Sequence, residues 1–203
     1  MSRVTLADIP AAVQKVRNYF GTHVTKTYEW RRQQLDRLHA MLHENEAAFV
    51  AALQSDLRKP VYEAAVSEVF LCATEVQRSA SLLKGWMQPE YVSTPLALAP
   101  ASSYVIREPY GVVLLIGPFN YPVQLIVLPL IAALSAGNCV VVKPSEAVPA
   151  VSSTFASLLP RYLDPQAVIV VEGAIPETTA LLKEKSVSHL PLHSRHAEWL
   201  YGG

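Results

Sequence analysis

Gly111-Val-Val-Leu-Leu-Ile-Gly117-Pro-Phe-Asn120-Tyr-Pro122 opens the stretch that decides the fold, and Ala136-Gly137-Asn138-Cys139-Val-Val-Val-Lys143-Pro-Ser145-Glu146 closes it, with a long apolar run between. Val112 to Ile116 is short, wholly apolar and rich in β-branched residues, the pattern of a strand buried on both faces of a parallel sheet. Pro122 suits the first turn of a helix, where its missing N–H has no partner to lose. That helix runs to about Ser135, and Gly137 is placed to end it. Cys139 to Val142 is a second buried strand. Strand, helix and strand in this order predict a βαβ unit with a right-handed crossover. Ligands of such units gather at the carboxyl ends of the strands. Two polar clusters fall there: Asn120 after the first strand, and Lys143, Ser145 and Glu146 after the second.

Working outward, Asp8 and Pro10 start a helix with Val13, Val16 and Phe20 on one side, ending at Gly21. A long helix is expected from about Thr25 to Leu57, with Trp30, Leu35, Leu38, Leu42, Phe49, Leu53 and Leu57 on one stripe. Arg31, Arg32, Asp36, Arg37, Glu44 and Glu46 then form its solvated face. Lys59-Pro60 breaks it, and a third helix follows from Tyr62 to Lys84 with Ala65, Val69, Val76 and Leu83 inward. Tyr91 to Pro100 reads as a loop, and Ser102 to Glu108 as a half-exposed alternating strand. Beyond Glu146, a helix to Tyr162, a third apolar strand (Val168 to Val171) and a helix through Lys185 complete the alternation. The fold class is α/β: N-terminal helices plus the first half of a doubly wound parallel sheet.

Pro118-Phe119-Asn120-Tyr121-Pro122, Gly137-Asn138 and Lys143-Pro144-Ser145-Glu146 together resemble the aldehyde dehydrogenase superfamily, in particular its class 3-like branch acting on fatty and aromatic aldehydes. The resemblance covers Val4 to Lys185. It divides the chain into a helical layer (1–90), a loop and arm strand (91–110), a partial Rossmann-like dinucleotide-binding domain (111–185) and a tail outside the resemblance (186–203). It implies NAD(P)-dependent oxidation of an aldehyde to an acid, with NAD or NADP as cofactor, a cysteine nucleophile and a glutamate base. It also implies homo-oligomers, so that this chain pairs with a full-length subunit through the arm strand. An ordinary edge strand fits the residues of 102–108 equally well.

The resemblance gives Asn120 the role of oxyanion donor. A side-chain amide fixed at that point donates to developing negative charge, a contact worth roughly 3–4 kcal/mol. A turn-capping asparagine is the plainer reading of the residue alone. Lys143 and Glu146, with Ser145 beside them, are implied to hold the adenosine ribose; a surface ion pair is the plainer alternative. Gly173, after the third strand, either lets a ligand approach or makes a turn. There is no Gly-x-Gly-x-x-Gly after any strand.

Lys+Arg and Asp+Glu are equal at 17 each, so there is no electrostatic footprint for nucleic acid or anionic membrane. The two cysteines, Cys72 and Cys139, have apolar flanks and read as reduced core residues rather than nucleophiles. His39 and His43 share a solvated helix face, and no metal-ligand spacing appears among the histidines. The first residues lack a signal-peptide pattern, and the run from Val123 to Ala136 is too short to span a bilayer, so a cytoplasmic protein is expected. After Lys185 no strand run and no phosphate-binding turn is expected. His189, His193 and His196 crowd a segment that reads like another frame or exon. The nucleophile and base are therefore expected to be missing from the chain, leaving it inactive alone; a non-catalytic fragment that associates with full-length subunits is the alternative.

Overall fold

Apolar spacing and helix-end signals build the first layer largely where they predict it. In the computed structural model, which describes residues 4–184 and 187–191, α1 spans Ile9–Phe20 and buries Ile9, Val13 and Val16. The single helix expected from 25 to 57 is two: α2 (Tyr28–Glu44) and α3 (Glu46–Leu57), hinged at Asn45. The Asn45 side-chain amide donates to the Met41 carbonyl at 2.9 Å and to the Tyr162 hydroxyl at 3.0 Å. Asparagine competes for backbone in this way and ends helices. The apolar stripe continues across the break, which is why periodicity alone does not reveal it.

From Val61 to Trp86 the chain is continuously helical: α4 (Val61–Glu63), a π-helical turn (Ala64–Phe70) and α5 (Leu71–Trp86). The segment expected as a loop contains β1 (Glu90–Val92), paired antiparallel with β2 (Ser103–Val105). Tyr91 and Tyr104 face each other across this ribbon with ring centroids 5.8 Å apart. The strand expected from Ser102 to Glu108 is only three residues long, and neither of its faces is buried. A strand this short has no readable period; its pairing partner defines it.

The main sheet is parallel, in the order β5-β4-β3-β6. It comprises β3 (Val112–Ile116), β4 (Cys139–Lys143), β5 (Val168–Val170) and β6 (Ser188–Pro191), linked by α6 (Gln124–Ala136), α7 (Pro149–Tyr162) and α8 (Ile175–Lys183). β6 corrects the expectation that no strand follows Lys185: it pairs with β3 from Val113↔Ser188 to Ile116↔Pro191. Ser, His and Pro hide it from a search for apolar runs, because β3 alone supplies its described ladder. With β6 on the far side of β3, the strand order reverses next to β3, the switch point of a doubly wound sheet. Residues 192–203, including His193 and His196, lie outside the described residues.

Every residue of β4 and all but the last of β3 are buried, so helices cover both faces. α6 packs on β3 and β4, and α7 on β5. α2, α3 and α5 lie over these two helices, while α1 packs on β3, β4 and α8. One core runs from Ile9 to Val187 and includes both Cys72 and Cys139.

Arg31, expected on a solvated face, is buried. Its Nε donates to the Thr25 carbonyl at 3.3 Å and its Nη1 to the Ser135 carbonyl at 3.2 Å, near the C-terminus of α6. His39 is half-buried and hydrogen-bonds Gln77 at 2.9 Å rather than standing in solvent; His43 is exposed.

Candidate functional site

The carboxyl ends of β3, β4 and β5 bring the sequence-predicted residues to one edge of the sheet. Ile116 pairs with Lys143, and the Gly117 N–H donates to the Lys143 carbonyl at 2.9 Å, so the loop carrying Asn120 leaves the sheet beside Lys143. A Cβ at Gly117 would sit 2.4 Å from the Ile126 side chain. Glycine there lets α6 fold back tightly onto the strand end.

Asn120 is exposed, and its amide takes no hydrogen bond among the described residues. This bears on the turn-capping alternative. Asn120 lies three residues before Val123, the spacing of a helix cap. Yet the first amides of α6 are taken by another group: Glu68 Oε2 accepts from Val123 N at 2.8 Å and from Gln124 N at 3.3 Å. Glu68 is fully buried in the π-helical turn and pairs with Lys59. The Lys59 ammonium in turn lies 3.7 Å from the centre of the Tyr121 ring. Sequence reading misses both residues. A lone glutamate inside an amphipathic helix looks solvated, and the π turn that rotates it inward leaves no mark on the apolar spacing.

Lys143 is buried to 1% exposure at the end of β4. Its Nζ donates to the Pro144 carbonyl at 2.6 Å and lies 3.5 Å from Glu146 Oε2, whose side chain is exposed. Burial lowers the Lys143 pKa, while the charges of Glu146 and Glu177 oppose the shift. The ammonium therefore donates one hydrogen bond, to the Pro144 carbonyl, and faces Glu146 at ion-pair distance. Ser145 Oγ accepts from Ala147 N at 3.2 Å and so shapes the turn. Gly173 adopts φ +152°, and a Cβ there would meet the Glu177 side chain at 2.4 Å. Glu177 Oε2 accepts from Ala174 N at 2.8 Å. Gly173 therefore makes room for the side chain that tops the third strand.

Neither cysteine offers a nucleophile. Burial, with a smaller push from Glu68, raises the Cys72 thiol to about 12; burial, with Asp164, does the same for Cys139. Among the described residues no group of histidine, cysteine and carboxylate side chains could hold a metal ion, and no helix is long and apolar enough to cross a membrane.

Comparison with known proteins places this arrangement. The family model described as "Aldehyde dehydrogenase family" matches residues 1–192, extending past Lys185 through β6. Aldehyde dehydrogenase family 3 member H1 of Arabidopsis thaliana is 47% identical over 179 residues, which are 88% of this chain and 37% of that protein. Family 3 member B3 of Mus musculus is 41% identical over 173 residues, 85% of this chain and 36% of that protein. A substrate-bound structure of Staphylococcus aureus AldH superimposes with a TM-score of 0.84 at 37% identity, covering 86% of this chain and 38% of that one. The chain thus spans little more than a third of the length of these relatives.

Proposed function

The chain belongs to the aldehyde dehydrogenase family, and from that membership we propose that it supplies the cofactor-side half of an NAD(P)-dependent aldehyde oxidation. The observation that carries the reading is the uncommitted Asn120 amide in the loop that leaves the same edge of the sheet as the Lys143–Glu146 pair. Lys143 and Glu146 would hold the ribose hydroxyls of NAD or NADP, with Ser145 and Gly173 shaping the two strand-end turns. When bound, the cofactor accepts hydride from the substrate carbon. Asn120 Nδ2 would donate to the aldehyde oxygen as it gains negative charge, lowering the barrier by roughly 3–4 kcal/mol. No thiol of this chain is fit to attack the carbonyl, so the 203 residues alone turn nothing over. Nucleophile and base would come from sequence that the longer relatives carry and this chain does not match.

Three measurements test this. Titration of the chain with NAD+ and NADP+ by calorimetry should show binding that Glu146→Gln weakens about tenfold, since a charged hydrogen bond is worth about 1.5–3 kcal/mol; equal affinity in the variant rejects the ribose role. In a chimera joining residues 1–191 to the remainder of the S. aureus relative, Asn120→Ala should lower kcat about 100- to 1000-fold with KM little changed. An unchanged kcat rejects the oxyanion role. NADH formation from an aldehyde by the chain alone rejects the proposed dependence on outside residues.

A second reading is favoured by the arm. Tyr91, Val92, Tyr104 and Val105 are all exposed on the β1–β2 ribbon. On that reading the chain docks onto a full-length subunit through this ribbon without catalysing anything. Co-elution with a full-length relative in gel filtration tests it, and separate elution rejects it.

A further inference from the structure

We propose that Glu68, held by Lys59, is a positioning residue for Asn120: it caps α6 in place of the asparagine and so keeps the Asn120 amide available to a substrate oxygen. The inference rests on the oxyanion reading of Asn120, but its own observations are separate. α6 starts at Gln124 with no cap from its own N-cap residue, Val123, and no acidic residue in its first turn. Its first N–H groups need an acceptor. Asn120, three residues before Val123, is the local candidate for that task. Instead the acceptor arrives from 55 residues upstream, as a carboxylate with no exposure at all.

Burying a carboxylate is costly unless it is paired and hydrogen-bonded. Here each oxygen has its own partners. Oε2 takes the two amides, and Oε1 takes the Lys59 ammonium. Lys59 then reaches the Tyr121 ring, next in sequence to Asn120. The pair therefore grips the loop at two points, one on each side of Pro122. Glu68 reaches α6 from the π turn, and turns of this kind occur frequently at functional sites. A local cap from Asn120 would accept through its side-chain oxygen, turning the side chain inward and carrying its NH2 group away from the position the chemistry needs.

The test uses the 203-residue chain and does not depend on turnover, so its failure is distinct from failure of the oxyanion role. Amide and side-chain resonances are recorded by NMR for the wild type, Glu68→Ala and Lys59→Met. In Glu68→Ala, Asn120 should turn inward to cap Val123. Its side-chain NH2 resonances shift, and the Gln124 amide, left with no acceptor, loses protection from hydrogen exchange about tenfold or more. Amides at the other end of α6, such as Asn138, stay as they are. Adding Asn120→Ala to Glu68→Ala should then strip protection from Val123 as well. A folded Glu68→Ala whose Asn120 side-chain resonances do not move overturns the proposal, as does unchanged protection at Gln124. If Glu68→Ala does not fold, Lys59→Met decides: it leaves the carboxylate in place, and the Asn120 and Tyr121 resonances must still shift. Coincidence with the wild type at both residues overturns the proposal.

Discussion

Gly137→Ala should cost far more than a helix-terminal glycine ordinarily does. The residue ends α6 at φ +86°. A non-glycine residue in this left-handed region costs about 1–2 kcal/mol. The rest comes from Arg31. A Cβ at position 137 would lie 2.7 Å from Arg31 Nε and 2.8 Å from both Cζ and Nη2. Arg31 cannot swing away cheaply, because it is buried and bonded to the Thr25 and Ser135 carbonyls. Each charged hydrogen bond is worth about 1.5–3 kcal/mol, and displacement leaves a buried carbonyl without its donor. Losing one bond and keeping the other strained gives a total of about 3–5 kcal/mol. Urea unfolding of the single variant measures the sum, with the slope checked for constancy. A double-mutant cycle separates the parts. In an Arg31→Ala background the clash is gone, and Gly137→Ala should cost only the backbone strain of about 1–2 kcal/mol. Equal costs of Gly137→Ala in the two backgrounds would refute the reasoning, since the guanidinium would then play no part.

Asn138→Ala should destabilise by about 2–3 kcal/mol, because its buried amide accepts from Gly111 N at 3.0 Å and donates to the Ala133 carbonyl at 3.2 Å, pinning the start of β3 to the end of α6; a thermal midpoint within a degree of wild type contradicts this. Asp56→Ala should cost about 1–2 kcal/mol, since its carboxylate accepts from Ala150 N at 3.1 Å and Val151 N at 2.9 Å in the first turn of α7; Asp56→Asn should recover part of the loss, and a variant no better than alanine speaks against the cap. The thiols predict an alkaline weakness: burial raises Cys72 and Cys139 from the ordinary 9.0 to about 12, so between those values the folded state holds protons that the unfolded state has released. Their stabilisation is complete below about pH 9 and is lost as pH rises toward 12; a urea midpoint flat from pH 8 to 11 in the wild type, or the same fall in a Cys72→Ala Cys139→Ala protein, would count against it.

What the sequence makes legible follows from what each feature depends on. β3, β4 and α6 depend on composition and local turns, and they stand where the glycines, prolines and apolar runs put them. Asn120, Lys143 and Glu146 fall at strand ends because the alternation of strand and helix puts them there. β1 and β6 exist through their partners, so neither carries a local signal. Arg31 and Glu68 escape for a related reason. A charged residue next to an apolar stripe reads as solvated unless one knows which helix end packs over it, and that is a long-range fact: Ser135 is 104 residues from Arg31. The apolar spacing is blind to the break at Asn45 and to the π turn because both keep the stripe intact.

Three charges share a pattern, two of them buried and one half-buried. Glu68 meets the N-terminus of α6, Arg31 its C-terminus, and Asp56 the N-terminus of α7. Each has the sign that complements the helix dipole at its end. All three come from the helical layer before residue 90, and all act on helices of the sheet unit after residue 111. The hydrophobic attraction between the layers is non-directional and by itself indifferent to modest sliding. A carboxylate across two amides is not indifferent, because hydrogen bonds fail within a few tenths of an ångström beyond their normal range. A one-turn slip of α6, about 5.4 Å, would break both of its end contacts at once. Hydrophobic burial therefore supplies the attraction between the layers, and the charged contacts set the register. At the N-terminus of α6 the same contacts hold the end of the loop that carries Asn120.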